Sequence, residues 1–323
     1  MNKPLYVGID VGGTTVKLAL VTEEGVLQEK WEIVTNREEQ GKFIMRDVAK
    51  AIVLKTAELN IPMSQVVAAG VGAPGYIDVE NGIIVEAVNL GWKDYSIQDE
   101  LENLLNIPVV VDNDANLAAG GEKWKGAGEG AANLLAVTLG TGVGGGIIAG
   151  GEIIHGQAGL AGEIGHITSV KSGGAPCNCG KFGCLETVAS ATGIARLGLE
   201  AVQRNPDGYL KRVLDEFGVV SAKDIFDGAK TGDPIAIEVV KESSEHLGFA
   251  LANLANALNP EIIVIGGGVS KAGPFLVDYI RESFNRFAIP KIAKETILNI
   301  ATLENDAGVI GAAWLAKQKR TSV

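Results

Sequence analysis

At 323 residues the chain has room for two domains and for a core that needs no disulfide staples. Its 46% apolar and 21% charged residues are the balance of a folded globular protein and exclude a disordered one. Acidic residues outnumber basic ones by 39 to 28, and the net charge of −11 disfavours nucleic acids and anionic membranes as partners.

No apolar stretch approaches the roughly 18 residues of a membrane span. The chain enters a strand-like run at Leu5 without a leader pattern ahead of it. Both features point to a cytoplasmic protein. Runs rich in Val and Ile predict the first strands over 5–10, 16–22 and 26–34. Between the first two, Asp10-Val-Gly12-Gly13-Thr14-Thr15 puts an acid at a strand end and small residues in the turn, with Lys17 two residues into the next strand. Backbone N–H groups in such a turn can hold phosphate oxygens, and threonine hydroxyls add donors. The acid cannot bind phosphate, but it can bind the magnesium that accompanies it. Phe43, Ile44, Val48, Ile52 and Leu59 share a face and predict a helix over 43–59. A strand at 66–72 runs into Gly72-Ala-Pro-Gly75, and Asn89-Leu-Gly-Trp92 is a further loop. Ser96 and Asp99 have the spacing of a capping box, which opens a helix through Leu105.

The strand predicted at 107–112 ends in Asp112-Asn113-Asp114. Side chains at a strand end project into the crevice where ligands bind. A carboxylate there can take the proton of a hydroxyl that attacks a phosphoryl group. The same residues also suit an Asx turn capping the next helix, and the two roles can coexist.

Strands predicted at 133–139 and 145–150 flank Gly140-Thr141-Gly142-Val-Gly144-Gly145. This matches G-x-G-x-x-G, with Glu163 18 residues on. A dinucleotide fingerprint must open a helix, however, and here the chain turns into another strand. Tyr6–Leu20 and Leu135–Ile148 share one grammar of strand, glycine turn and strand. They predict two similarly built halves with mixed sheets.

Glu163-Ile-Gly-His166 precedes Cys177-Asn-Cys179-Gly-Lys-Phe-Gly-Cys184-Leu-Glu186. These are all three cysteines of the chain, an odd and clustered set that argues for a metal over a disulfide framework. Cys177 and Cys179 are too close in sequence for an unstrained bridge. One imidazole and three thiolates complete a tetrahedral zinc set, and four protein ligands leave no open position, so the ion is structural. Asp233-Pro234 opens a long helix that stops before Asn259-Pro260. A strand at 261–265 ends in Gly266-Gly267-Gly268 before a helix near Pro274, a place where a flat ring such as adenine can lie on backbone. A strand at 297–302 and a helix over 307–317 finish the chain.

The three glycine turns together resemble the two phosphate loops and the adenosine loop of the actin, Hsp70 and hexokinase superfamily. That resemblance implies an α/β fold of two ribonuclease-H-like domains closing over Mg-ATP. The expected division is residues 1–116 with 306–323, and residues 117–305 carrying the zinc site. With the cysteine motif added, the whole chain resembles the ROK family of repressors and kinases, and the Cys-x-Cys pattern resembles its glucokinase branch. The resemblance implies zinc on His166, Cys177, Cys179 and Cys184. It implies nucleotide on Asp10, Gly12, Gly13, Thr14, Thr15, Lys17, Gly140, Thr141, Gly142, Gly266, Gly267 and Gly268. It implies a hexose, glucose, on Gly75, Asn89, Asn113, Asp114, Glu163, His166 and Glu186, with Asp114 as general base. His166 would serve both zinc and sugar, and the family implies a homodimer or homotetramer. A kinase for fructose or N-acetylmannosamine, and a non-catalytic sugar sensor, are the alternatives.

Overall fold

The computed structural model describes residues 3–205 and 208–321; the outermost residues of the expected first domain, 1–2 and 322–323, lie outside that range. Strand β1 (Leu5–Val11) pairs antiparallel with β2 (Thr15–Thr22), which pairs with the edge strand β3 (Leu27–Val34). Helix α1 (Ile44–Glu58) then carries the chain to β4 (Val66–Ala73), parallel to β1. A three-stranded meander follows: β5 (Tyr76–Asp78), β6 (Ile83–Ala87) and β7 (Trp92–Ser96). Helix α2 (Ile97–Leu105) leads to β8 (Val109–Asn113), which completes a sheet of order β3-β2-β1-β4-β8.

Helix α3 (Asp114–Lys125) crosses to the second half, where β9 (Leu134–Leu139), β10 (Val143–Ala149) and β11 (Glu152–Ile153) form an antiparallel set. Helices α4 (Glu186–Ala189), α5 (Ala191–Arg204), α6 (Tyr209–Phe217), α7 (Ala222–Lys230) and α8 (Pro234–Leu258) come next. Then β12 (Ile262–Gly266), α9 (Pro274–Phe287), α10 (Pro290–Glu295) and β13 (Ile297–Ile300) close a second sheet, β11-β10-β9-β12-β13. Each sheet starts from a hairpin and grows by parallel strands from the first hairpin strand, the internal repeat expected from the two glycine-turn segments. All nine strands expected from sequence form.

The final helix α11 (Ala307–Thr321) returns to the first sheet. A Cβ built on Gly8 would lie 1.8 Å from the carbonyl oxygen of Val309, so α11 rests directly on the backbone of β1. Part of the glycine excess therefore serves helix packing and not turns or ligands. One core gathers Val7, Ile9, Leu18, Ile52 and Val71 beneath α1, and another gathers Val137, Leu251, Ile263, Ile265 and Phe284 beneath α8 and α9.

The capping box expected at Ser96 does not form. The Ser96 hydroxyl donates to Asp99 Oδ2 at 2.8 Å and caps no backbone N–H, because Ser96 still belongs to β7. A true capping box opens α7, where Ser221 and Asp224 satisfy each other's backbone N–H groups. Helices α5, α6 and α7 are clearly amphipathic and could have been read from their periodicity, whereas the meander and β11 could not. Strands of two to five residues carry too few repeats of the pattern.

Candidate active site

A cleft of about 460 Å³ opens between the strand ends of the two sheets. It is lined by Asp10 at the end of β1, Lys17 on β2, Asp114 at the start of α3, and Gly140 and Gly142 between β9 and β10. Glu163 and His166 join them from the region between β11 and α4, and Glu186 from the first residue of α4. These eight residues, expected from sequence, come from segments over 170 residues apart and converge on one space.

Asn113 is the N-cap of α3, its Oδ1 accepting the Ala115 N–H at 2.9 Å, while its Nδ2 points to the Gly75 carbonyl at 3.5 Å. The capping role is thus observed, while Asn113 is not among the residues that line the cleft. Asp114 follows, with Oδ1 on the same Ala115 N–H at 2.8 Å. Asp114 is solvent-exposed in the open cleft, although the protein packed around the cleft still desolvates its carboxyl. That desolvation, reinforced by the charges of Asp10 and Glu163, pushes Asp114 up to about 6. Burial also raises Asp10, against the opposing pull of Lys17, whose Nζ lies 3.9 Å from Asp10 Oδ2. A pair of carboxylates held above their ordinary range is a donor set suited to a divalent cation.

The glycine turns use some of their own N–H groups. Gly12 N–H closes its turn on the Thr15 carbonyl at 3.0 Å, and Gly140 N–H does the same on Gly142 at 3.0 Å. These two amides, expected from sequence to face phosphate, close their own turns. The N–H groups of Gly13, Thr14, Thr141 and Gly142 are not used by these closures. A Cβ on Gly13 or Gly140 would meet nothing within 4 Å, so neither packing nor a positive φ requires glycine there; what it leaves is open access to backbone. Glu186 supports the second turn: its Oε2 accepts the Val143 N–H at 3.0 Å.

The third glycine turn divides. Gly268 lines a largely apolar cavity of about 350 Å³ with Ala222, Phe226, Val269 and Ala272. Gly266 and Gly267 line neither this cavity nor the central cleft; Gly267 packs on Leu139, 2.6 Å separating its built Cβ from the Leu139 oxygen. Gly75 takes φ +97°, where a side chain would be strained, at the turn into β5. Asn89 is exposed in the turn after β6, outside the central cleft.

The coordinating atoms of His166, Cys177, Cys179 and Cys184 all lie within 4.8 Å of one another. Cys177 Sγ is 3.5 Å from His166 Nδ1, and Cys179 Sγ is 3.6 Å from Cys184 Sγ. Sulfurs at about 2.3 Å from one tetrahedral ion stand about 3.8 Å apart, so the donor set and its spacing fit zinc. Burial and the adjoining thiols push Cys184 up to about 12. The opposite edge of the His166 ring faces the cleft, with Nε2 3.7 Å from Glu163 Oε2.

Sequence reasoning missed Thr138, Glu304, Asn305 and Gly308, which also line the cleft. Glu304 and Asn305 lie between β13 and α11, and Asn305 offers its carbonyl to Lys17 Nζ at 3.5 Å. Nothing in their local pattern marks them; their place follows from the return of α11 to the first sheet.

Two mixed sheets of one topology flank a cleft that holds an acid at a strand end and the second glycine turn, while Gly12, Gly13, Thr14, Thr15 and Thr141 are not among its lining residues; this is the two-domain α/β fold of the actin-like ATPases. The chain belongs to the ROK family, whose sequence model matches residues 6–319. A glucokinase of Halalkalibacterium halodurans is 53% identical over 100% of this chain and 98% of its own length. A ROK hexokinase from Thermus thermophilus superposes with a TM-score of 0.84 at 31% identity, over 99% of this chain and 100% of the other. A ROK glucokinase from Streptomyces griseus, solved with glucose and AMPPNP, superposes with a TM-score of 0.77 at 35% identity, over 97% and 99%.

Proposed function

We propose that this chain is a glucokinase that transfers the γ-phosphoryl group of ATP to the 6-hydroxyl of glucose, with Asp114 as general base. The observation that carries the assignment is the position of Asp114: an acid raised to about 6, in one cleft with Glu163, His166 and the second glycine turn. The full-length similarity to a glucokinase supports the substrate.

In this reading glucose lies against Asn113, Glu163, His166 and Glu186, with Gly75 and Asn89 at its outer edge. Charge-assisted hydrogen bonds from its hydroxyls to the two glutamates fix its orientation. The free amides of Gly13, Thr14, Thr141 and Gly142 hold the phosphates, Thr15 and Lys17 add donors, and the adenine enters the apolar cavity at Gly268. Asp10 would hold Mg²⁺, which neutralises phosphate charge when bound. Asp114, ionised above pH 6, accepts the hydroxyl proton as the oxygen attacks in line. Closure of the two halves excludes water and so prevents wasteful hydrolysis. Zinc on His166, Cys177, Cys179 and Cys184 would be structural, holding Glu163 and Glu186 at their stations.

The packing of α11 on β1 and β4 supports grouping 306–323 with 1–116 as one domain and 117–305 as the other, with α3, on which α11 also packs extensively, running between the two. Among the described residues no helix is long and apolar enough to cross a membrane. A cytoplasmic homodimer or homotetramer, without nucleic-acid partners, completes the proposal. The test is ADP release with Mg-ATP across a hexose panel, with product identification. Glucose 6-phosphate from fast turnover on glucose supports it. Preference for fructose or N-acetylmannosamine keeps the mechanism and overturns the substrate, and silence on every sugar overturns the enzyme.

A further inference from the structure

Asp112 is fully buried at the end of β8, two residues before the proposed base. Both of its oxygens are engaged. Oδ1 accepts the Asn113 N–H at 2.7 Å and Asn116 Nδ2 at 2.9 Å. Oδ2 meets Nε2 of His155 at 2.7 Å. His155 belongs to the other half of the molecule, two residues beyond β11. A carboxylate buried this completely is held by its partners, and removal of one leaves it unsatisfied.

His155 has a second attachment. Its carbonyl accepts the Ala161 N–H at 2.9 Å, which closes the neck of the loop 155–161. Gly162 then lies against β10, a built Cβ falling 2.7 Å from the Gly145 carbonyl, and the next residue is Glu163. One residue therefore ties the strand end that carries Asn113 and Asp114 to the loop that delivers Glu163. The Asp112 hydrogen bond raises His155 above the usual imidazole range despite its burial, in keeping with a ring that donates from Nε2.

We infer that His155 is a positioning residue for the sugar: through Asp112 and the loop neck it fixes the separation between Asp114 and Glu163. A shift of about 1 Å in such a separation can lower turnover a hundredfold. The inference rests on the reading of Glu163 as a sugar ligand, so the test includes that residue.

The experiment is steady-state kinetics in glucose and in ATP for His155→Ala, His155→Gln, His155→Asn and Glu163→Gln. His155→Ala is expected to raise glucose KM at least about tenfold and lower kcat by a similar factor, with ATP KM within about twofold. His155→Gln, whose Nε2 reaches where the ring Nε2 stands, should recover most of both, and the shorter His155→Asn should not. Should the alanine variant not fold, the contrast between Gln and Asn carries the test. Equal losses in Gln and Asn, or a fall in kcat with unchanged glucose KM, would overturn the positioning role. A raised glucose KM in Glu163→Gln beside a normal one in His155→Ala overturns this inference alone. An unchanged glucose KM in Glu163→Gln overturns the Glu163 assignment and this inference with it.

Discussion

Nε2 of His166 lies 3.7 Å from Oε2 of Glu163, on the edge of the ring opposite the cysteine thiols. One imidazole thus joins the metal-binding cluster to the cleft. A metal held at Nδ1 would fix the tautomer and the ring's aim, as outer partners of a metal ligand commonly do in reverse. Stripping zinc with a chelator should raise glucose KM at least about tenfold, in line with losses from disturbed metal shells. ATP KM should move little, and added zinc should restore the enzyme. Verified zinc loss with unchanged glucose KM would contradict the coupling.

The raised Asp114 predicts a pH profile. The base must be ionised, so kcat/KM for glucose should rise with pH through an apparent pKa of about 6 and level off above it. Asp10 is one source of the shift, so Asp10→Asn should move this limb to lower pH as well as weaken Mg-ATP use. A limb that stays near pH 6 in that variant would refute the electrostatic account.

The same shift has a sign for stability. Asp114 binds its proton more tightly folded than unfolded, so its ionisation opposes folding. The opposition is absent below its ordinary carboxylate range, grows as pH rises, and is complete above about 6. Asp114→Asn should therefore melt higher at pH 7, by about 1–2 °C after allowance for solvent screening. The gain should vanish below about pH 4. Thermal melts at both pH values decide it.

Much of this was legible because it is local. A strand ending in Asp10 before two glycines, or in Asn113-Asp114 before a helix, states its own geometry, and the clustered cysteines mark a metal-binding donor set that the fold brings together with His166. What sequence did not give is what depends on the return of distant chain. Glu304 and Asn305 reach the cleft only because α11 comes back to β1, and the Asp112–His155 pair spans two sheets. Nothing local marks Asp112 as a cross-sheet anchor, since its partner lies 43 residues away. Turn closure by Gly12 and Gly140 was likewise invisible, because identical residues can offer or consume their amides.

The glycines separate by function in a way that can be measured. Gly8→Ala forces a Cβ to 1.8 Å from Val309 oxygen, and a destabilisation of about 3 kcal/mol is expected from the displaced helix. Gly13→Ala meets no protein atom within 4 Å, so it should leave Tm within about 1 °C while raising ATP KM severalfold. Equal melting losses in the two variants would remove the argument that Gly13 serves the nucleotide.

The central claim is that Asp114 accepts the hydroxyl proton while its neighbours hold the sugar. The most direct measurement pairs turnover of Asp114→Asn with equilibrium glucose binding to the same variant. The account predicts glucose affinity within about threefold of the parent and kcat lower by roughly a hundredfold to ten-thousandfold. Near-normal kcat in a variant that binds glucose normally would contradict it.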